Sequence, residues 1–117
     1  MSLHTVYATL APGAAHAQVE EALNQEITRI KSDGVTAEEI ARVKQQFLAA
    51  DAYKRDGTAA VASELNEWIA VGDWTLYVTF PQKIGQVTPA DVQRVAKQYL
   101  NEDQSTTGWF VPAEKGS

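Results

Sequence analysis

Hydrophobic positions along this chain follow two rhythms. In residues 3–11, LHTVYATLA, they alternate. Val6, Ala8 and Leu10 share one face, and Leu3, Thr5, Tyr7 and Thr9 share the other, as in a strand. Pro12-Gly13 stops that run. From about Ala14 to Ser32 the spacing becomes helical, with Val19, Leu23, Ile27 and Ile30 on one stripe and Gly34 as the C-terminal glycine. Thr36 with Glu39 three residues on reads as a capping box. The helix it opens carries Ile40, Val43, Phe47 and Ala50 and ends near Gly57. A third helix over about Thr58 to Val71 turns Val61, Leu65, Trp68 and Ile69 inward, and Gly72-Asp73 supplies a stop and a new cap.

Residues 74–86 satisfy both rhythms. Trp74, Leu76, Val78 and Phe80 alternate, whereas Tyr77, Phe80, Ile84 and Val87 recur at helical spacing. The Asp73 cap favours a helix, bent near Pro81. Thr88 and Pro89 then open a fifth helix, at the N-cap and first helical positions, with Val92, Val95, Ala96 and Tyr99 on its apolar face. Residues 105–111, STTGWFV, read as a second strand closed by Pro112. The expected fold is α+β: a small, incomplete β-sheet of the first and last strands, packed against four to five helices. Two strands make a marginal sheet with unpaired edges. The expectation is that strands from elsewhere complete it, and that the isolated chain self-associates through those edges. Met1-Ser2 and Gly116-Ser117 have the character of added residues; if they are, the natural chain continues at either end.

Composition narrows the function classes. The 117 residues amount to one domain or part of one, with a net charge of -5 and no cysteine. No basic stripe is available to neutralise phosphates, so nucleic acid is not an expected partner. Disulfides and thiolate metal sites are excluded. No apolar run reaches membrane-spanning length, so no membrane partner is expected, and the start lacks the pattern of a signal peptide.

Candidate chemistry is sparse. His4 and His16 form no H-E-x-x-H or H-x-x-E-H pair. Glu20-Glu21 and Glu38-Glu39 are adjacent on helices, so each pair diverges by about 100° and reads as a solvated face. Ser63 and Ser105 have no neighbouring base, and the glycines are scattered singly. Lys54-Arg55-Asp56 sits at a helix C-terminus, where cations are favoured. Arg55 and Asp56 are the candidate contact residues, either as a structural ion pair at a helix corner or as a contact to a peptide carboxylate. Trp68 reads as core; Trp109 is open between core and binding surface.

Three segments together, GVTAEEIARVKQQFLAADAYKRDG, ASELNEWIAVGDWTLY and VTPADVQRVAKQYLNEDQSTTGWFVP, resemble the insulinase/pitrilysin-like (inverzincin) zinc metallopeptidases. That family includes mitochondrial processing peptidases and many bacterial two-domain and four-domain relatives. The resemblance runs from about Tyr7 to Pro112. It implies a processing-peptidase-like half-domain, the second half of a domain lacking the zinc motif. Domains of the family pair around a chamber that holds an extended peptide. Zinc is bound in the first domain by H-x-x-E-H and a later glutamate, and partner domains supply wall and substrate contacts.

With that motif absent, no catalytic, metal or cofactor-binding residue carries over, and the chain is expected to be inactive alone. The implied partners are the remaining peptidase domains of a parent chain and, through them, a peptide substrate. A periplasmic or exported location is a family implication only. Pro81 departs from the pattern, standing where relatives carry a helix-compatible residue. The expected function is a non-catalytic structural or substrate-chamber segment of a zinc metallopeptidase. The alternative is a free-standing α+β interaction module that binds a partner along an open sheet edge.

Overall fold

The computed structural model describes residues 3–112 and is helical, with α1 (His16–Asp33), α2 (Ala37–Lys54), α3 (Thr58–Val71), α4 (Leu76–Gly85), α5 (Pro89–Tyr99) and a 3-10 turn at Glu102–Gln104. Met1-Ser2 and Gly116-Ser117 lie outside the described residues. The expected sheet is absent: no strand occurs among the described residues. The α+β class is therefore corrected to all-helical, and the open sheet edge of the alternative reading goes with it. The reason is physical. Alternation assigns side chains to two faces, but a strand exists only when a neighbour supplies ladder hydrogen bonds. Residues 3–11 and 105–111 have none. The later segment is held instead by side chains of α1.

Local signals set the helix ends. A turn at Pro12-Gly13, with Gly13 at φ 85, is closed by the Ala14 N–H on the Ala11 carbonyl at 3.0 Å. Gly34 ends α1 at φ 76 and ψ -158, a region in effect reserved for glycine. Thr36 and Glu39 complete their capping box: the Glu39 N–H donates to Thr36 Oγ1 (3.1 Å) and the Thr36 N–H to Glu39 Oε2 (2.8 Å). Gly72 closes α3 in the left-handed region, with the Asp73 N–H on the Trp68 carbonyl. Residues 74–86 resolve as helix. The Asp73 carboxylate accepts from the Thr75 N–H, and Val78, which alternation would pair with inward neighbours, is 57% exposed. A second capping box opens α5, where Asp91 plays the part of Glu39.

Packing divides into two groups: α1 against α5, and α2, α3 and α4 around one another. The first pair caps itself reciprocally. Lys31 near the end of α1 donates to the Leu100 carbonyl (3.0 Å) and to Asn101 Oδ1 (3.2 Å) at the end of α5. Gln93 of α5 donates to the carbonyls of Lys31 (3.1 Å) and Ser32 (3.0 Å) in the last turn of α1. Both helix C-termini thus gain partners for carbonyls that have no intrahelical donor. Ala96 is buried between them.

The second group centres on Phe80, 4.9 Å from the Trp68 ring and 5.6 Å from Phe47. On α2 the inward stripe is Ile40, Lys44, Phe47 and Asp51, while Val43 is 60% exposed. The stripe is rotated from the expected one because the neighbours of α2 stand on its Lys44–Asp51 side.

Much surface stays open. The accessible area is 9786 Å², roughly half as much again as the ~6,300 Å² of a compact monomer of this mass. The radius of gyration is 18.3 Å, against about 13 Å for a compact chain of this length.

Candidate functional site

The candidate pair Arg55 and Asp56 lies where α2 meets α3. Arg55 closes α2 and its guanidinium makes three contacts. Its Nε donates to Asp51 Oδ2 at 2.8 Å, one turn back on the same helix. Its Nη2 donates to the Tyr77 carbonyl of α4 at 2.7 Å. Its Cζ stands 4.3 Å from the centre of the Tyr77 ring. The Asp51 hydrogen bond, foremost, raises the guanidinium pKa above its ordinary value. Asp56, the expected partner, is exposed, and the ion pair of Arg55 is made with Asp51 instead.

The Tyr77 carbonyl is a particular acceptor. In an uninterrupted helix it would receive the N–H of residue 81, but that residue is proline and has none. Arg55 donates to the oxygen that Pro81 leaves vacant. Pro81 and Arg55 are therefore two ends of one structural device.

Beside this corner lies a cleft of about 260 Å³, floored by Phe47, Trp68 and Phe80 and bordered by Asp51, Lys54 and Glu64. Lys54 Nζ bridges to Glu64 Oε1 at 3.1 Å across the mouth, and that bond is the first cause of its raised pKa. Cation and carboxylate are mutually satisfied there. Nothing in this arrangement pairs a nucleophile with a base or leaves an acid and a base converging on one point.

The remaining candidates are dispersed. His16 Nε2 donates to the Phe110 carbonyl at 3.0 Å, and its ring stacks on Trp109 at 5.5 Å. Trp109 Nε1 donates to Glu20 Oε2 at 2.9 Å. These contacts latch the final segment onto α1. His4 is exposed on the segment before α1. Glu21 accepts from Gln25, Glu39 is committed to its cap, and Ser105 Oγ donates to the Glu102 carbonyl. Among the described residues no group of three or more His, Cys, Asp and Glu could hold a metal ion.

Comparison with known proteins fits a segment without a reactive centre. The family profile described as the peptidase M16 inactive domain matches residues 1–47. A crystal structure described as the inactive peptidase domain of a proposed zinc protease from Bordetella parapertussis is 29% identical. It matches 94% of this chain with a TM-score of 0.82. The chain is similar to the inactive domains of M16 peptidases.

A second structure, of a proposed zinc protease from Bordetella pertussis Tohama I, is 28% identical over 89% of the chain, with a TM-score of 0.78. No curated protein matches. The chain spans 59% and 57% of the lengths of these two structures. The likeness is to a non-catalytic segment of a zinc protease.

Three structural pairings had little or no local signal in the sequence. Arg55 with the Tyr77 carbonyl was detectable in outline, since a proline inside a helical pattern always orphans the carbonyl four residues earlier. Lys31 with Gln93, and Glu20 with Trp109, join positions 62 and 89 residues apart. No local pattern announces them.

Proposed function

We propose that residues 1–117 form a single partial domain, the C-terminal portion of a non-catalytic peptidase-like domain. Within a zinc-protease parent it serves as structural wall of the chamber that holds the peptide. The likeness to an inactive peptidase domain over 94% of the chain carries this reading. The commitment of Arg55, His16 and Glu39 to structural bonds supports it. Arg55 acts here as a structural ion pair that fixes the α2–α3 corner on α4. The remaining peptidase domains of the parent are the partners, and peptide reaches this segment only through them.

Zinc content and peptide cleavage measured on the purified chain test the reading. The expected result is neither bound zinc nor turnover; stoichiometric zinc with turnover overturns it. In isolation the chain is expected to self-associate, given its open apolar surface. Light scattering that finds a monomer at high concentration would remove that part of the proposal.

A further inference from the structure

The cleft between α2, α3 and α4 joins an aromatic floor to an acidic rim. Phe80 stands against Trp68 and Phe47, and Tyr77 lines the same cleft. The faces of such rings are negative and attract cations. The rim carries three carboxylates, Asp51, Glu64 and Glu67. Asp51 gives one oxygen to Arg55, and Glu64 gives one to Lys54. Glu67 is exposed and makes no ion pair among the described residues. On α3, Glu64 is three residues from Glu67 and four from Trp68, so it shares a face with the second carboxylate and with the indole.

The cleft already holds cations by this chemistry. The Arg55 guanidinium lies 4.3 Å from the Tyr77 ring centre while it is bonded to Asp51. The Lys54 ammonium stands on Glu64 at the mouth, its pKa raised by Glu64 first and then by the fields of Glu67 and Asp51. Yet the Lys54 side chain is 61% exposed, and ion pairs so open to water are weak. A better cation can displace it.

We propose that this cleft binds one arginine side chain of a peptide, which displaces Lys54 and lays its guanidinium between the aromatic floor and the carboxylates of Glu64 and Glu67. The volume of about 260 Å³ lies just under the ~300–1,000 Å³ of small-molecule pockets, which suits a single side chain. Arginine fits better than lysine, because its planar fork stacks on rings and donates to two carboxylates at once. A peptide arginine fits better than free arginine. The free amino acid would bring its own α-carboxylate against Asp51, Glu64 and Glu67, whereas within a peptide that group is a neutral amide. The site leaves Arg55 on Tyr77 and does not rest on the peptidase reading.

Titration calorimetry on the full-length protein tests this, with the end-blocked tripeptide Ala-Arg-Ala as probe. Saturable binding is expected, about 10-fold or more tighter than that of the citrulline analogue, which keeps the shape and loses the charge. Free arginine should also bind more weakly. Glu67→Gln should weaken the tripeptide by about 5-fold. Lys54→Met removes the competing cation and should tighten it by about 2–5-fold, a gain that a merely structural Lys54 would not produce. Both residues are exposed, so neither substitution threatens the fold. No saturation at ~10 mM tripeptide overturns the proposal. So does equal affinity for the citrulline analogue. An affinity unchanged in both variants overturns it as well, since it would put the arginine elsewhere on the protein. Zinc and turnover play no part in these readouts, so the non-catalytic reading stands or falls separately.

Discussion

Arg55 supplies the Tyr77 carbonyl with the hydrogen bond that Pro81 cannot give. The donor comes from a different helix, at 2.7 Å, and the same guanidinium lies over the Tyr77 ring. A helix interrupted by proline is thereby tied to the α2–α3 corner at its weakest point. Replacing Arg55 by alanine removes the donor, the Asp51 pair and the ring contact together. The expected cost is about 1–3 kcal/mol, read as a lower denaturant midpoint at unchanged slope. In a Pro81→Ala background the carbonyl regains a helical N–H, so Arg55→Ala should cost less there. A double-mutant cycle with no coupling would refute the device.

The reciprocal caps of α1 and α5 predict a second effect. Gln93→Leu leaves the end of α1 without its side-chain donor, and Lys31→Met does the same for α5. Each is expected to cost about 1 kcal/mol, and the pair should be non-additive. Gly34→Ala should cost about 1–3 kcal/mol. The strain comes from its backbone conformation, since the added Cβ would make only ordinary contact with Gln93, at 3.5 Å. Thermal melts of the three variants check this.

Acid should loosen α2 and α5 first at their N-termini. The Glu39 carboxyl is held below its ordinary pKa chiefly by the Thr36 backbone N–H, and Asp91 chiefly by the Thr88 hydroxyl. A carboxyl with a depressed folded pKa contributes stability that is full above the ordinary carboxylate range. That contribution is lost as pH falls through the range to the depressed value. Helical ellipticity followed from pH 6 to pH 2 should therefore decline at the acid end. In Asp91→Asn the part due to α5 should no longer depend on pH; an unchanged acid limb would count against the second capping box.

The latch of Trp109 on α1 gives a fourth expectation. Glu20→Leu removes the acceptor of the indole N–H, while Glu20→Gln keeps one. Hydrogen exchange in residues 105–112 should accelerate in the leucine variant and stay near the parent rate in the glutamine variant. Equal rates in both would show that stacking on His16 alone holds the segment.

What the sequence determined by itself was local. Capping boxes, terminal glycines, Pro89 at a first helical turn and the helical spacing of α1 to α5 act over three or four residues, so they were legible without a fold. The ambiguous stretch 74–86 went to helix for the same reason, because the Asp73 cap is a short-range contact. Tertiary structure alone decided the rest. Residues 3–11 and 105–111 have a strand's pattern without a strand's partner, and their ladder bonds would have to come from a chain not among these residues. Which stripe of α2 turns inward, and that Arg55 answers Pro81 across 22 positions, depends on helices meeting in space. A residue's near neighbours choose its helix; only distant ones choose what that helix touches.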